Sequence, residues 1–426
     1  MITNLHIENF KSLADFDLPP NGLRLGEFTC LIGLNGSGKS TLLQAFDFLG
    51  QLAIGRMGEW LGQRGWKKSE LACNLGKRSP IIKFQMVFHF DESDDVKWIG
   101  HFNTTLLRCT YELIEKNGAK LLEVNEGRLI VAKMDQRSPQ VIEKSDLAYE
   151  GSVLSILQLK DAHSDVSRVK EVSQSLKSLE LLSPHLLRKR ATGADDIGVG
   201  GEKLAPFLDQ LTGESHSQLQ DRLREFYPHL EKWIVKGYRF GWKGLRVWEN
   251  YSPGSVVDAA HLNDGMLRVI AILAQAYSRH KVLLFDEIEN GVNPELVEKL
   301  VKSLMDLGEN GKQVIVTTHS PMILNYIPDD VAREAVILLY KLADGRTRCV
   351  RFFDLPETQL KLRALGPGEV FVDTKLEDLV AHLPATIPSH DSAAFRGRGG
   401  RHRELRGNRR PVRGRQFQAR SDGHFD

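Results

Sequence analysis

One short segment limits the fold of this chain more than any other feature of its sequence. Residues 33–40 read GLNGSGKS and fit the pattern GxxxxGK[ST], between an apolar run at 28–33 and a stretch of helical spacing at 40–49. The glycines let backbone N–H groups turn inward around a phosphate, and the start of a helix adds positive potential. The segment therefore predicts a strand, a phosphate-binding loop and a helix, in that order.

The side chains of this loop have expected roles that follow from the pattern. Lys39 is expected to reach the β and γ phosphates of a nucleotide, and the Ser40 hydroxyl is expected to bind Mg²⁺. A nucleotide with Mg²⁺ is thus the predicted ligand. The predicted nucleotide-binding residues of the loop are Asn35, Gly36, Ser37, Gly38, Lys39, Ser40 and Thr41.

A second motif supplies the acids that such a loop requires. Residues 281–286 read KVLLFD, which predicts a buried strand that ends at Asp286, with Glu287 directly after it. Ligands in parallel sheets bind at the carboxyl ends of strands, so Asp286 is expected beside the Mg²⁺ ion. Glu287 is expected to polarise an attacking water. Taken alone, the segment also fits an ordinary strand that ends in a solvated acidic turn.

Two further segments narrow the class of protein. HLNDGMLR at 261–268 precedes the acidic strand, and TTHSP at 317–321 follows it. Together with DEIENGVNP at 286–294, they resemble the signature, switch-histidine and D-loop elements of ATP-binding-cassette ATPases. The resemblance is to their soluble branch, which includes the structural-maintenance-of-chromosomes (SMC) and RecF-like ATPases and the overcoming-lysogenization-defect (OLD) ATPases with their prokaryotic defence relatives. IENFKS at 7–12 is similar to the same branch.

This resemblance implies roles for residues outside the loop. His319 would contact the γ-phosphate and the attacking water. Asn263 and Gly265 would reach the γ-phosphate of the nucleotide on a second copy, so that hydrolysis requires two chains packed face to face. Gln85 is a candidate Mg²⁺ ligand, and Lys11 would lie near the nucleotide. The signature of this family usually carries serine where Asn263 stands, although an amide can also donate a hydrogen bond.

The pattern of apolar residues predicts an α/β fold. Short runs with turn signals from about 80 to 134 indicate an antiparallel β section, and leucines at helical spacing from about 152 to 232 indicate a helical insertion. Strands and helices then alternate from 263 onwards, which is typical of a mainly parallel sheet covered by helices. We therefore expect an ATP-binding-cassette P-loop NTPase fold with these two additions.

Five segments are expected along the chain. The predicted ATPase head has an N-terminal part at 1–150, with the phosphate-binding loop and the antiparallel section, and a C-terminal part at 236–355, with the signature, acidic strand and switch histidine. Residues 151–235 form the expected helical insertion, 356–385 a C-terminal extension, and 386–426 a disordered Arg/Gly-rich tail.

The charge of the chain is concentrated in that tail. Residues 391–426 contain ten arginines and four acids, whereas the other 390 residues carry 47 basic and 51 acidic side chains, a net charge of −4. The body is therefore not a basic nucleic-acid module by charge. The tail itself fits three interpretations: an RNA-binding segment, a solvated tail, or the product of a shifted reading frame, since lysine is absent after Lys375.

The leading hypothesis from the sequence is an ATPase that uses ATP and Mg²⁺, with Lys39, Glu287 and His319 as catalytic residues. It would form a homodimer or higher oligomer through its nucleotide sites. It would gate an effector protein such as a nuclease, with DNA or RNA as a further partner, in DNA surveillance, DNA repair or anti-phage defence. The opening MITNLHIENF lacks the pattern of a signal peptide and no run of about 18 apolar residues occurs, so we expect a cytoplasmic protein without a membrane partner.

Three other functions are weighed against this hypothesis. The first is a nucleotide-dependent assembly switch with little turnover, because asparagine replaces serine at Asn263. The second is the energising subunit of a transporter, which the lack of an LSGGQ signature disfavours. The third is nuclease activity in the same chain. The residues after 345 contain no second cluster of acids with a lysine, so cleavage is expected to come from a partner instead.

Overall fold

The computed structural model describes residues 1–76, 78–90, 94–125, 128–131, 140–143, 148–158, 162–179, 183–193, 195–251 and 256–383. The predicted disordered tail at 386–426 lies outside the described residues, as do the last two positions of the predicted C-terminal extension. None of the helices in the described part combines the length and the apolar composition that a membrane-spanning helix needs.

The strands of the described residues are numbered in chain order. They are β1 (Ile2–Phe10), β2 (Leu13–Leu18), β3 (Phe28–Ile32), β4 (Ile81–Phe88), β5 (Val96–Asn103), β6 (Arg108–Lys116), β7 (Ala119–Asn125), β8 (Arg128–Val131), β9 (Gln140–Glu143), β10 (Leu176–Leu179), β11 (Leu230–Gly237), β12 (Lys243–Glu249), β13 (Val256–Asp258), β14 (Val282–Phe285), β15 (Gln313–Thr317), β16 (Val336–Lys341) and β17 (Thr347–Arg351).

The α-helices of the same residues are numbered in the same way. They are α1 (Lys39–Ile54), α2 (Met57–Arg64), α3 (Ser164–Gln174), α4 (Pro184–Leu187), α5 (Leu204–Leu208), α6 (Glu214–Phe226), α7 (Asp264–Ala274), α8 (Pro294–Glu309), α9 (Pro321–Asn325), α10 (Asp329–Ala335), α11 (Pro356–Lys361), α12 (Pro367–Asp373) and α13 (Leu376–His382).

A mainly parallel sheet forms the centre of the molecule. Its six strands follow the order β10-β14-β15-β3-β16-β17, and all neighbours are parallel except β16 and β17. Sequence-distant strands are therefore neighbours, since β3 near the start of the chain lies between β15 and β16. This arrangement confirms the predicted α/β fold with a mainly parallel sheet.

An antiparallel sheet of eight strands confirms the predicted antiparallel section. Its order is β2-β1-β4-β5-β6-β7-β8-β9, and each neighbouring pair runs antiparallel. The section extends beyond the predicted interval, because β1 and β2 from the start of the chain form one side of it. A third, smaller sheet has the order β11-β12-β13 and is antiparallel as well.

The stretch predicted to be a helical insertion is mixed. Helices α3 to α6 lie within it, but β10 and the first part of β11 lie there too. The leucines of β10 recur at helical spacing, yet the segment pairs in parallel with β14, in the register Leu176 to Val282 and Leu179 to Phe285. A short apolar run fits a buried strand and a buried helix equally well, which explains the difference. The limits drawn for the insertion stay a prediction.

Two apolar layers enclose the parallel sheet. Leu31 and Leu284 belong to a cluster with α1 and the antiparallel sheet, whereas their neighbours Cys30 and Phe285 belong to a cluster with α7 and α8. Alternate side chains of each strand thus face opposite layers. This explains why the strands read as continuous apolar runs rather than as an alternating pattern.

Candidate nucleotide-binding and catalytic site

The predicted motifs meet at one edge of the parallel sheet. Strands β14, β15 and β3 are direct neighbours and run parallel, so their carboxyl ends lie side by side. Asp286 follows β14, His319 follows β15, and the loop at 33–40 follows β3. Three segments that are far apart in the sequence therefore contribute to a single site, as ligand sites in parallel sheets do.

Two glycines of the loop occupy positions that exclude a side chain. Gly33 has φ of 145°, and a Cβ atom there would lie 2.2 Å from the carbonyl oxygen of Leu339 in β16. Gly38 has φ of 108°, and its Cβ would lie 2.6 Å from the hydroxyl of Thr347 in β17. The loop is thus shaped by left-handed backbone and by close approach of the two adjacent strands.

Thr347 of β17 packs against the loop and bonds to its backbone, a role that the motifs did not predict. Its hydroxyl donates to the carbonyl oxygen of Ser37 at 3.1 Å and lies 2.9 Å from the hydroxyl of Ser12. The side chain is fully buried. A threonine in an ordinary antiparallel strand carries no sequence signal for this contact, because β17 reaches the loop only through the order of strands in the sheet.

Lys39 is buried at the start of α1. Its Nζ donates to the carbonyl oxygens of Gly33 at 2.9 Å and Leu34 at 3.3 Å, so the amine lies over the mouth of the loop. Burial lowers the pKa of Lys39 from its ordinary value of 10.5, and the nearby carboxylates of Asp286 and Glu287 oppose this effect. A cation held by weak carbonyl acceptors is well placed to exchange them for phosphate oxygens.

The predicted metal ligands Ser40 and Asp286 are in direct contact. The Ser40 hydroxyl donates to Oδ2 of Asp286 at 2.9 Å, and the hydroxyl of Thr317 donates to Oδ1 of the same carboxylate. Thr317 also accepts a hydrogen bond from the backbone N–H of Glu287 at 2.9 Å. The end of β15 therefore fixes both acids, and Thr317 belongs to the site although the sequence analysis assigned it no role.

Glu287 and His319 face each other across the edge of the sheet. Glu287 has φ of 45°, a left-handed conformation that is unusual for a residue other than glycine. Its Oε2 accepts from Nδ2 of Asn290 at 3.1 Å, and its Oε1 lies 3.8 Å from Nε2 of His319. The backbone N–H of His319 donates to Glu289 at 2.8 Å, a residue that the sequence prediction missed.

The chemistry of the edge fits a nucleotide with Mg²⁺. The Ser37 hydroxyl is buried in the loop, and no hydrogen-bond partner is found for it among the described residues. Hydroxyl and carboxylate oxygens such as those of Ser40 and Asp286 are the ligands that Mg²⁺ prefers. In the part of the chain described, no three His, Cys, Asp or Glu side chains cluster so that they could hold a metal ion, so phosphate and water would complete its coordination.

The signature residues Asn263 and Gly265 lie at the start of α7. Asn263 is exposed, and its Oδ1 accepts from the N–H of Met266 at 2.7 Å, which caps α7. Gly265 is buried, because a Cβ there would lie 2.4 Å from the carbonyl oxygen of Gly291. The contact between Gly265 and Gly291 joins the signature to the D-loop. The described hydrogen bond of the Asn263 side chain stays within its own helix.

Arg268 links the signature helix to the acids. Its Nη1 donates to the carbonyl oxygen of Asn290 at 2.6 Å. Burial lowers the pKa of the Arg268 guanidinium, and the carboxylates of Glu287 and Glu289 oppose this effect. Arg268 ended the signature segment in the sequence but was not assigned a role, since its position beside the acids depends on how α7 packs against β14.

Gln85 is not brought to this site. In β4 it pairs with His6 of β1 and shares a face of the antiparallel sheet with Lys83 and Glu8. The neighbouring Phe84 faces the opposite side, in the apolar cluster that includes α1. The sheet therefore separates Gln85 from Ser40 and Asp286, and the interpretation of Gln85 as a metal ligand needs correction.

Lys11 lies against α1, one helical turn beyond Ser40. Its Nζ donates to Oε1 of Gln44 at 2.8 Å and lies 3.3 Å from the ring centre of Trp66. The resemblance placed Lys11 near the nucleotide, and the structure brings it to the same face of α1, because residues four apart on a helix are neighbours. Its present contacts hold it on Gln44 and Trp66.

Two family profiles match the chain. One is described as "AAA ATPase domain" and matches residues 1–182; the other is described as "AAA domain, putative AbiEii toxin, Type IV TA system" and matches residues 137–325. The two matches overlap and together extend over 325 of the 426 residues.

Curated proteins share shorter stretches with this chain. The OLD nuclease of Thermus scotoductus is 33% identical over 110 residues, which cover 26% of this chain and 18% of that protein. The arginine/ornithine transport ATP-binding protein AotP of Pseudomonas aeruginosa is 35% identical over 60 residues, which cover 14% of this chain and 24% of that protein. The chain thus spans about a fifth to a quarter of the length of these relatives.

The fold is similar to that of an SMC head. The crystal structure titled "SmcHead bound to the C-winged helix domain of ScpA" matches with a TM-score of 0.51 at 13% identity, and the match covers 82% of this chain and 96% of that chain. At this identity the likeness concerns the fold alone.

Proposed function

We propose that this chain is a P-loop ATPase of the RecF-, SMC- and OLD-like type, which binds ATP with Mg²⁺ at the edge formed by β3, β14 and β15 and hydrolyses it. The observation that carries the proposal is the 2.9 Å hydrogen bond between Ser40 and Asp286, which joins the phosphate-binding loop to the acidic strand across 246 residues of sequence. Both side chains offer oxygens to one metal ion.

Each residue at this edge has a proposed part in hydrolysis. The loop N–H groups and Lys39 would hold the phosphates, and Ser40 and Asp286 would hold Mg²⁺, which when bound would neutralise phosphate charge. Glu287 would orient a water molecule and accept its proton. The water oxygen then bonds to the γ-phosphorus while the bond from that phosphorus to the β–γ bridging oxygen breaks, giving ADP and inorganic phosphate.

His319 is proposed to contact the γ-phosphate and the same water. Its ring nitrogen lies 3.8 Å from the Glu287 carboxylate, so one water could hydrogen-bond to both side chains. Glu289 holds the backbone of His319 and would keep the ring on this side. Two positioned groups on one water favour in-line attack over random approach.

We further propose that two copies pack head to head around two nucleotides. The exposed position of Asn263 supports this, because its side chain is available to a second molecule while its helix is held in place by the contact between Gly265 and Gly291. An isologous dimer would place the signature of each copy on the loop of the other. ATP would then lie in the interface and bind to both copies.

The cycle of such a dimer would gate an effector. One relative is named OLD nuclease and one family profile is described with a toxin of a type IV toxin–antitoxin system, which supports a role in anti-phage defence or in DNA surveillance and repair. The proposed partners are a second copy of the chain, an effector protein such as a nuclease, and DNA or RNA. A cytoplasmic location accords with these partners.

Two other functions have specific support. The amide at Asn263 favours a switch that assembles on ATP with little turnover, and phosphate release measured at saturating protein distinguishes the two. The match to AotP favours a transporter's energising subunit. A pull-down from native membranes dominated by one integral membrane protein would support that function, and a pull-down dominated by soluble proteins would argue against it.

A pair of variants tests the main proposal. Lys39→Ala should abolish ATP turnover because the phosphates lose their cation, and Glu287→Gln should bind ATP, fail to hydrolyse it and accumulate as a dimer. Turnover is measured as phosphate release, and dimer formation by light scattering with and without ATP. Lys302→Ala, an exposed lysine on α8, is the matched control and should behave as the wild type. Wild-type hydrolysis in both site variants would refute the assignment.

A further inference from the structure

The small sheet of β11, β12 and β13 has one face anchored in the core and one face open. Trp233, Leu245 and Val247 point inward and are buried in the apolar cluster around α7 and α8. The two long strands of the sheet pair from Leu230 with Glu249 to Gly237 with Lys243, with one register shift between Leu230 and Lys232. We call the hairpin of residues 230–249 the aromatic hairpin.

The tip of the aromatic hairpin exposes large aromatic rings. Phe240 is 93% exposed and Trp242 is 46% exposed, and Tyr251 just beyond the hairpin is 69% exposed. Among the described residues, the other exposed Phe, Trp or Tyr side chain is Tyr326, at 36%. Phe240 also has φ of 60°, a left-handed backbone conformation at the turn. Burying these rings would be favourable, and an exposed cluster of this kind indicates a binding surface.

The same segment is strongly basic. Residues 228–251 contain five basic and two acidic side chains, a net charge of +3, in a body whose first 390 residues carry −4. The basic residues are Lys232, Lys236, Arg239, Lys243 and Arg246. A positive patch on a negative body attracts polyanions. The charge therefore favours a polyanion as the partner, whereas an exposed apolar cluster alone would not favour one.

Several of these cations lie on aromatic faces, and Lys232 also lies 4.0 Å from the carboxylate of Glu231. Lys232 lies 5.3 Å from the ring centre of Trp248, and Lys236 lies 5.3 Å from that of Tyr238. Arg190, from the segment that pairs with the start of β12, lies on the same Tyr238 ring, 3.9 Å from its centre. Rings and cations thus alternate across the surface, and these cations keep donors for a phosphate.

Two other cations are already paired and help the fold instead. Arg246 donates to Asp258 of β13 at 2.9 Å, and Lys243 contacts the carboxylate of Asp209. Lys243 pairs with Gly237 beside the tip, and Arg246 lies further along β12. Lys236 and Arg239, for which no acidic partner is found among the described residues, therefore carry the positive charge next to the exposed rings.

We propose that the aromatic hairpin binds single-stranded nucleic acid. Proteins that hold single strands combine a basic track for the backbone with aromatic rings on which unstacked bases lie, and both are present on this surface. A duplex keeps its bases stacked inside, so it would use the cations but not Phe240 and Trp242. A protein partner would use the rings, but the net positive charge then requires a matching acidic surface.

The surface is separate from the nucleotide site but close to the signature. Arg188, two residues before Arg190, donates to the carbonyl oxygen of Leu262 at 2.7 Å, directly before Asn263. A nucleic-acid strand bound on the hairpin would therefore contact the segment around Arg188, which supports the signature loop. Binding to the hairpin does not depend on ATP hydrolysis, so it can fail while the proposed ATPase activity stands, and the reverse.

Fluorescence anisotropy with labelled oligonucleotides tests the proposal on the full chain. The probes are oligo-dT and oligo-U of about 20 nucleotides and a duplex of equal length, in about 200 mM salt so that purely ionic binding is weak. The double variant Phe240→Ala/Trp242→Ala should weaken single-strand binding by about ten-fold or more and leave duplex binding nearly unchanged. The difference between the dT and U probes shows whether DNA or RNA is preferred.

A second double variant, Lys232→Gln/Lys236→Gln, tests the ionic part. Loss of two phosphate contacts should lower the slope of log affinity against log salt by about 1.4 for a single strand. The matched controls are Val372→Ala and Lys302→Gln, exposed residues on α12 and α8 that should leave both quantities unchanged. Thermal unfolding verifies that every variant is folded, and all should retain the turnover of the wild type without nucleic acid.

The basic tail requires its own control, because ten arginines at 391–426 can bind polyanions. All measurements are repeated in a background in which these arginines are glutamine, and the effects of the hairpin variants should persist there. The proposal is overturned if this background binds no single strand, or if both hairpin variants bind as tightly as their controls. It is also overturned if the hairpin variants impair only the association of two chains.

Discussion

The phosphate-binding edge and the signature surface differ in how complete they are within one chain. At the edge, Ser40, Asp286 and Thr317 are joined by hydrogen bonds, and segments far apart in the sequence hold one another in place. At the signature surface, Asn263 is exposed and its side chain bonds only within its own helix among the contacts described, although Gly265 beneath it is tightly packed. We call the edge closed, because its side chains bond to one another within one chain. We call the signature surface rigid but open, because its backbone is packed while the Asn263 side chain is exposed.

This difference separates two tasks of the proposed cycle. A closed edge is expected to bind nucleotide in a single copy, because it already contains the loop, the proposed metal ligands and the proposed water-positioning acid. In the proposed dimer, the rigid, open signature completes a site on another molecule. The comparison therefore predicts that changes at the edge and changes at the signature both impair ATP hydrolysis. Changes at the signature should, in addition, leave nucleotide binding by the single copy intact.

The largest effect is expected from Asp286→Asn at the closed edge. The substitution removes the charge that would hold Mg²⁺ while preserving shape, and a metal contribution of several kcal/mol corresponds to a loss of turnover of about 10³-fold. Phosphate release measured across a Mg²⁺ titration checks this. Asp330→Asn, an exposed acid on α10, is the control. Equal turnover in the two variants would remove Asp286 from the mechanism.

A smaller effect is expected from Gly265→Ala at the signature surface. The added Cβ would approach the Gly291 carbonyl oxygen to 2.4 Å, so the signature must shift, and a displacement near 1 Å costs about 10²-fold in rate. Binding of a fluorescent ATP analogue to the monomer should not change. Gly62→Ala, where a Cβ meets nothing within 4 Å, is the matched control. Loss of nucleotide binding by the monomer would show that the two regions are not separate.

About a ten-fold loss of turnover is expected from Thr317→Val. The change removes a hydroxyl that donates to Asp286 and accepts from the Glu287 N–H, and a hydrogen bond to a charged group contributes roughly 1.5–3 kcal/mol. The kcat of the variant should fall more than its ATP affinity. Thr358→Val removes a buried threonine hydroxyl away from the edge and should lower the melting temperature without this effect on kcat.

The smallest effect on turnover is expected outside both regions, at Glu112 of β6. This carboxyl is fully buried, accepts from Ser152 and from the Val153 N–H, and burial raises its pKa to about 7 from an ordinary 4.5. The folded state therefore holds the proton more tightly than the unfolded state. The free energy of unfolding should decrease by up to about 3 kcal/mol as the pH rises from about 4.5 to about 7, and then level off.

Glu112→Gln should flatten that decrease, because an amide does not titrate. Denaturant unfolding at several pH values measures it, and turnover measured in parallel should equal that of the wild type. Effects on turnover, which arise in the two regions compared above, would then be distinguished from effects on the stability of the fold. A wild-type protein whose stability rises over the same pH interval would contradict the sign of this prediction.

The closed edge could be predicted from the sequence because each of its motifs is preceded by a recognisable buried strand. The glycines at 33–38, the acids after KVLLFD and the TTHSP segment each follow a buried strand, and parallel strands must end at the same edge. The mainly parallel sheet and the antiparallel section followed from apolar periodicity. These predictions depend on local patterns and on one rule of topology.

The remaining features depend on contacts that a local pattern does not encode. Thr347 reaches the loop only because β17 follows β16 across the sheet, and β10 reads as helix until its pairing with β14 is known. Gln85 has the right residue type but the wrong face of a strand, which is set by its register with β1. The aromatic hairpin resembles any short strand pair until the exposure of Phe240 is measured.

Mixing two inactive variants tests the central claim most directly, namely that each nucleotide site is built from the closed edge of one copy and the signature of another. Glu287→Gln and Gly265→Ala are combined at equal concentration before ATP is added, and phosphate release is measured. Random pairing makes half of the dimers mixed, each with one intact composite site, so turnover should recover to about a quarter of the wild-type value. A mixture no more active than its two components would contradict the account.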